Sequence, residues 1–91
     1  MSIRESALER KMMRWAIDRG AIVVKVQGTR GWPDRAVVLP NGRTLFVEFK
    51  RPGQKPDPLQ EHILKQLRMR GCPATWADSE ESFKLAFERA L

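Results

Sequence analysis

The chain has 91 residues, 17 of them Lys or Arg and 11 Asp or Glu, for a formal charge of +6 and a pI near 10.3. A single domain over 1–91 hides only roughly 60–65% of its unfolded surface on folding, so modest stability is expected, helped by self-association, and the charge favours a polyanionic partner through counterion release. The single Cys72 excludes an internal disulfide framework and fits a reducing, cytoplasmic setting, while no apolar run exceeds the four residues of Ala21 to Val24, so neither a membrane span nor a signal peptide is expected.

Ser2 to about Arg19 reads as a helix. Ser2-Ile3-Arg4-Glu5 is a capping box, Leu8, Met12, Trp15 and Ala16 form an apolar stripe, and Gly20 ends it. Ala21 to Val26 reads as a buried strand, and Gln27 to Pro33 as a loop carrying Thr29, Arg30 and Trp32. Arg35 to Leu39 and Arg43 to Lys50 flank Pro40-Asn41-Gly42 and make a hairpin. Arg51 to Pro56 is a basic loop that no strand could contain. A second helix starts at Asp57 as N-cap, with Pro58 in its first turn, and stops at Gly71. Pro73 to Ala77 suits a fourth strand, and Asp78 or Ser79 caps a last helix that packs Phe83, Ala86, Phe87 and Ala90 inward. The order αβββαβα predicts an α/β fold with a four-stranded mixed sheet, since the crossover helix requires the last two strands to run parallel.

The hairpin turn decides what lies beside what. Pro, Asn and Gly suit a three-residue loop with Gly in the left-handed position. Leu39 then opposes Arg43, Asp34 opposes Glu48, and Lys50 shares their sheet face. A two-residue Asn-Gly loop would shift the register by one and separate the two acids onto opposite faces. Two neighbouring carboxylates repel unless a cation lies between them, and Mg²⁺ or Mn²⁺ accepts such oxygens while keeping positions for substrate. A lysine alongside could orient an attacking water or stabilise charge growing on a phosphate. The alternative is an ordinary cross-strand ion pair, but Ala36, Val38 and Phe46 continue this face, and two acids at the end of an apolar face need a reason.

Glu5 and Glu9 stand one turn apart, where like charges destabilise a helix. Glu5 is explained by the capping box; Glu9 has no cation at helical spacing, so it is expected to reach the metal site, directly or through a water. A solvated, idle Glu9 is the other reading. Gln60 completes the Asp57-Pro58-Leu59-Gln60 capping box, which accounts for it structurally. His62 has no Cys or His at metal-ligand spacing, which argues against zinc, and Cys72 has no histidine near it in sequence to make it a nucleophile. Trp15 and Trp76 are expected in the core and Trp32 at the surface.

Leu8-Glu9, Gly31-Trp32-Pro33-Asp34, Glu48-Phe49-Lys50 and Pro58-Leu59-Gln60, in this order and on these elements, resemble the virus-type replication-repair nuclease (VRR-NUC) family of the PD-(D/E)XK superfamily. The four motifs together span nearly the whole chain and are much more specific than Pro-Asp with Glu-x-Lys alone. The resemblance implies a restriction-endonuclease-like fold and Mg²⁺- or Mn²⁺-dependent hydrolysis of DNA. Asp34, Glu48 and the Phe49 main-chain carbonyl would hold the metal, Lys50 would act on the water, Glu9 would complete the site, and Gln60 would lie near it. It further implies a phage-type homodimer acting on branched DNA such as Holliday junctions, in the cytoplasm of an infected host cell, with no small-molecule cofactor. Arg30, Arg51 and Lys55, on loops at the mouth of the site, are expected to contact phosphates. The competing reading is a non-catalytic basic nucleic-acid-binding module, which would leave the opposed acids unexplained.

Overall fold

The structure, a computed structural model, describes residues 6–91. Its elements are α1 (Ala7–Asp18), β1 (Ile22–Lys25), β2 (Arg35–Val38), β3 (Thr44–Phe49), α2 (Pro58–Met69), β4 (Ala74–Ala77) and α3 (Glu80–Ala90). They form one sheet in the order β1-β2-β3-β4, antiparallel until the last pair, which is parallel across the α2 crossover. This is the expected αβββαβα arrangement.

The helix ends follow from their sequences. Ser6 caps α1 by accepting the Glu9 N–H at 3.0 Å. The expected Ser2–Glu5 capping box lies outside the described residues, and Ser6-Ala7-Leu8-Glu9 repeats the same signature at the observed start. At the other end Gly20 takes φ +91°, the Ala21 N–H bonds the Ala16 carbonyl, and the Gly20 N–H bonds that of Ile17, closing a Schellman motif. Gly71 and Cys72 end α2 the same way, on Arg68 and Leu67. Ser79 rather than Asp78 caps α3, its hydroxyl accepting the Ser82 N–H.

The hairpin adopts the three-residue loop. Leu39 donates to the Arg43 carbonyl at 2.7 Å, Gly42 sits at φ +88°, and Arg35 pairs with Val47. That register, carried one residue further, sets Asp34 opposite Glu48.

Alternation along the strands then builds two unequal layers. Val37, Leu39, Leu45, Val47, Phe49 and Ala77 face α1 and α3, where Met12, Ala16, Phe83 and Phe87 complete the main core. The other face packs Phe46, Ala74 and Trp76 against Leu64 and Leu67 of α2, with Trp32 at the margin. Trp15 and Trp76 are half-buried rather than fully internal. The first strand departs from expectation: β1 is an edge strand, not a buried one, and Ile22 and Val24 are 66% and 48% exposed. A short apolar run does not reveal whether both of its faces are covered.

Candidate active site

The polar residues on the α2 side gather where β2 begins and β3 ends. Pro33, fully buried, fixes the chain just ahead of β2. It would oppose Phe49 if the hairpin register ran on, and having no N–H it cannot close the ladder onto the Phe49 carbonyl. Asp34 supplies the other half of that missing rung, its Oδ2 accepting the Phe49 N–H at 2.8 Å. The Pro-Asp pair thus holds Asp34 against β3 and leaves the Phe49 carbonyl without a donor from β2. The Phe49 ring points to the opposite layer and stacks on Phe83 with centroids 5.6 Å apart.

Glu48 is 4% exposed. Its Oε2 accepts Gln60 Nε2 at 2.8 Å and lies 3.6 Å from Lys50 Nζ, whereas its Oε1 is buried with no hydrogen-bond partner. Such an orphaned carboxylate oxygen in a folded interior calls for a hydrogen-bond donor or a cation. Burial first, then the charge of Asp34, push the Glu48 carboxyl up from its ordinary 4.5 to about 7, against the pull of Lys50. Burial also raises Asp34, partly offset by the Phe49 N–H and by Lys50, Arg35 and Lys25. Both acids thus resist ionising without a cation. Two carboxylate oxygens and a main-chain carbonyl are hard donors suited to Mg²⁺ or Mn²⁺.

Gln60 serves two neighbours. Its Oε1 accepts the Asp57 N–H at 3.0 Å to complete the α2 capping box, which directs its Nε2 at Glu48. The capping role and the site role coexist in one side chain.

Glu9 is placed differently from the other acids. It is buried on the α1 side of the sheet, where its Oε2 accepts Arg35 Nε at 2.7 Å. Among the described residues no three His, Cys, Asp or Glu side chains converge on one point, so Glu9 does not join Asp34 and Glu48 in a single ligand cluster. The cation absent from its own helix comes from β2, a partner that helical spacing could not reveal. Arg35 is therefore the residue that sequence reasoning missed. Its signal was parity: one position from Asp34, it must face the layer that holds α1. Arg30, Arg51 and Lys55 are all exposed.

No protein-family model matches the chain. A protein named "Putative nuclease p44", from Acyrthosiphon pisum secondary endosymbiont phage 1, is 47% identical over 64 residues, which are 66% of this chain and 69% of that protein. A solved structure described as a VRR_NUC domain is 28% identical and superposes with a TM-score of 0.79, over 92% of this chain and 94% of the other. A second, described as a VRR_NUC domain protein, covers 100% of this chain and 90% of its own at a TM-score of 0.77; at 15% identity it is a likeness of fold alone.

Proposed function

The chain belongs to the VRR-NUC family of the PD-(D/E)XK nuclease superfamily, and from that premise we propose that it is a Mg²⁺- or Mn²⁺-dependent endodeoxyribonuclease that acts on branched DNA as a homodimer. The observation that carries the metal site is the buried, unpartnered Oε1 of Glu48 beside the Asp34 carboxylate. The chemistry that a divalent ion would supply there is Lewis-acid polarisation of a phosphodiester and a lowered pKa for a bound water.

The protein's own groups divide the remaining work. Asp34, Glu48 and the Phe49 carbonyl would hold the ion. Lys50, its ammonium within 3.6 Å of Glu48, orients the attacking water and opposes charge growing on the phosphate. Gln60 keeps Glu48 in one orientation from the side. Glu9 is a positioning residue: it fixes Arg35, whose backbone follows Asp34 directly. Arg30, Arg51 and Lys55 draw in the DNA backbone.

Two symmetric cuts across a branch need two sites at a fixed separation, which a two-fold dimer supplies. The exposed Ile22 and Val24, with half-buried Ala36 and Val38 beside them on β2, make an uncharged apolar face on a chain of charge +6. A second copy is the partner proposed for it.

The test is to incubate the purified protein with a four-way junction, a flap and a linear duplex in Mg²⁺, Mn²⁺ or EDTA, alongside Asp34→Asn. Metal-dependent cutting of the branched substrates, lost in the variant, is expected. Binding without cutting would instead favour the non-catalytic module. Neutralising Arg51 and Lys55 together should reduce the slope of log affinity against log salt by roughly two.

A further inference from the structure

Trp32 lies two residues before Asp34, and nothing in the metal site uses it. It stands edge-on to Phe46, with centroids 6.0 Å apart at 77°, on a loop clamped to the start of α2. The clamp is tight: Gly31 holds φ +82°, and a Cβ there would come within 2.6 Å of the Leu59 side chain. Beyond Trp32 opens a cavity of about 240 Å³ walled by Trp32, Ile63 and Leu67, with Gln66 and Arg70 at its rim. At about 30 Å³ per water, this space suits a ring system rather than a solvent molecule. Arg70 is exposed and held in place, its Nη1 donating to the Gln66 Oε1 at 2.8 Å and to the Gln66 carbonyl at 3.0 Å.

The position of the cavity limits what can enter it. Gln60 marks the metal site on α2, and at 1.5 Å per residue Ile63 and Leu67 lie about 4.5 and about 10 Å further along the helix. A stacked DNA strand advances about 3.4 Å per nucleotide, so the cavity lies within a few nucleotides of the proposed metal site. We propose that this cavity is a binding site for one unpaired nucleobase of the DNA substrate, stacked on Trp32, with its phosphate neutralised by Arg70. Apolar walls beside an indole, with a fixed cation at the mouth, match how proteins hold splayed single-stranded bases. A base inside a duplex cannot reach such a pocket without leaving its stack. The site therefore selects DNA that already offers an unpaired base beside the cut, which gives structure selectivity without base-edge readout. The inference rests on the nuclease reading above.

The experiment uses the wild-type protein in EDTA and flap or junction DNA carrying one abasic nucleotide, moved stepwise across the three positions on either side of the mapped cut. One position is expected at which base removal weakens binding about tenfold, equivalent to about 1.4 kcal/mol. Trp32→Leu should bind intact and abasic DNA alike. Gln66→Trp, which fills the cavity while leaving Trp32 in place, should do the same. The inference is overturned if no position is sensitive, or if both variants keep the full wild-type difference. If metal-dependent cutting persists in either case, the nuclease reading stands and only the pocket falls; if no DNA is bound or cut, both fall.

Discussion

Gln60 divides its amide between a helix end and a carboxylate, and Glu48 divides its two oxygens between a satisfied bond and an empty direction. The second division has a measurable sign. A carboxyl whose folded pKa is about 7 against an ordinary 4.5 favours the fold while protonated, and that contribution fades as pH rises between those values. In metal-free buffer Glu48→Gln should therefore melt higher than wild type at pH 8, with the gap closing by pH 4. Mg²⁺ should raise the wild-type Tm at pH 8 and leave that of the variant unmoved. Melting curves at the two pH values, with and without the ion, check both statements. Glu9 behaves in the opposite sense: Glu9→Gln removes the charge that Arg35 binds on the buried side of the sheet. It should lower stability by roughly 1–3 kcal/mol in urea titration, a loss that an idle, solvated Glu9 would not give.

At the scale of elements, the hairpin turn carries the site. Deleting Thr44 keeps the three-residue loop but moves every later residue of β3 one step along β2, setting Phe49 opposite Asp34 and sending Asp34 and Glu48 to opposite faces. The variant should lose cutting and the Mg²⁺-induced rise in Tm together, and amide exchange should show re-paired or frayed β2. The turn was readable in the sequence because Pro, Asn and Gly each have one conformational role there, and the register that followed from them set the acids side by side. Gly20 and Gly71 were readable for the same reason. What could not be read was non-local. The pairing of Glu9 with Arg35 joins residues on different elements, and the openness of β1 depends on how far α2 extends across the sheet. Capping was ambiguous because Ser2 and Ser6 open the same pattern four residues apart; among the described residues it is Ser6 that closes onto α1.

For the molecule as a whole, the two layers are unequal, since α1 and α3 cover one face while the α2 cluster draws on β3, β4 and Trp32. The β1 edge is left with Ile22 and Val24 outward, a liability in a monomer and a seam in a dimer. Val24→Lys should shift sedimentation toward the monomer and reduce paired cutting of a four-way junction while leaving the apparent affinity for Mg²⁺ unchanged. A wild-type protein that sediments as a monomer at micromolar concentration would remove the dimer from the account.

Phe49 ties the interior to the candidate site, because its ring belongs to the core while its backbone bonds Asp34. Shaving Phe83 to Leu, on the far side of the sheet, would give that ring room to rock, and the peptide plane would rock with it. Precision at that site should thus fade before the fold melts: heat or a distant cavity would first blur where an oxygen points, and only later dismantle the domain.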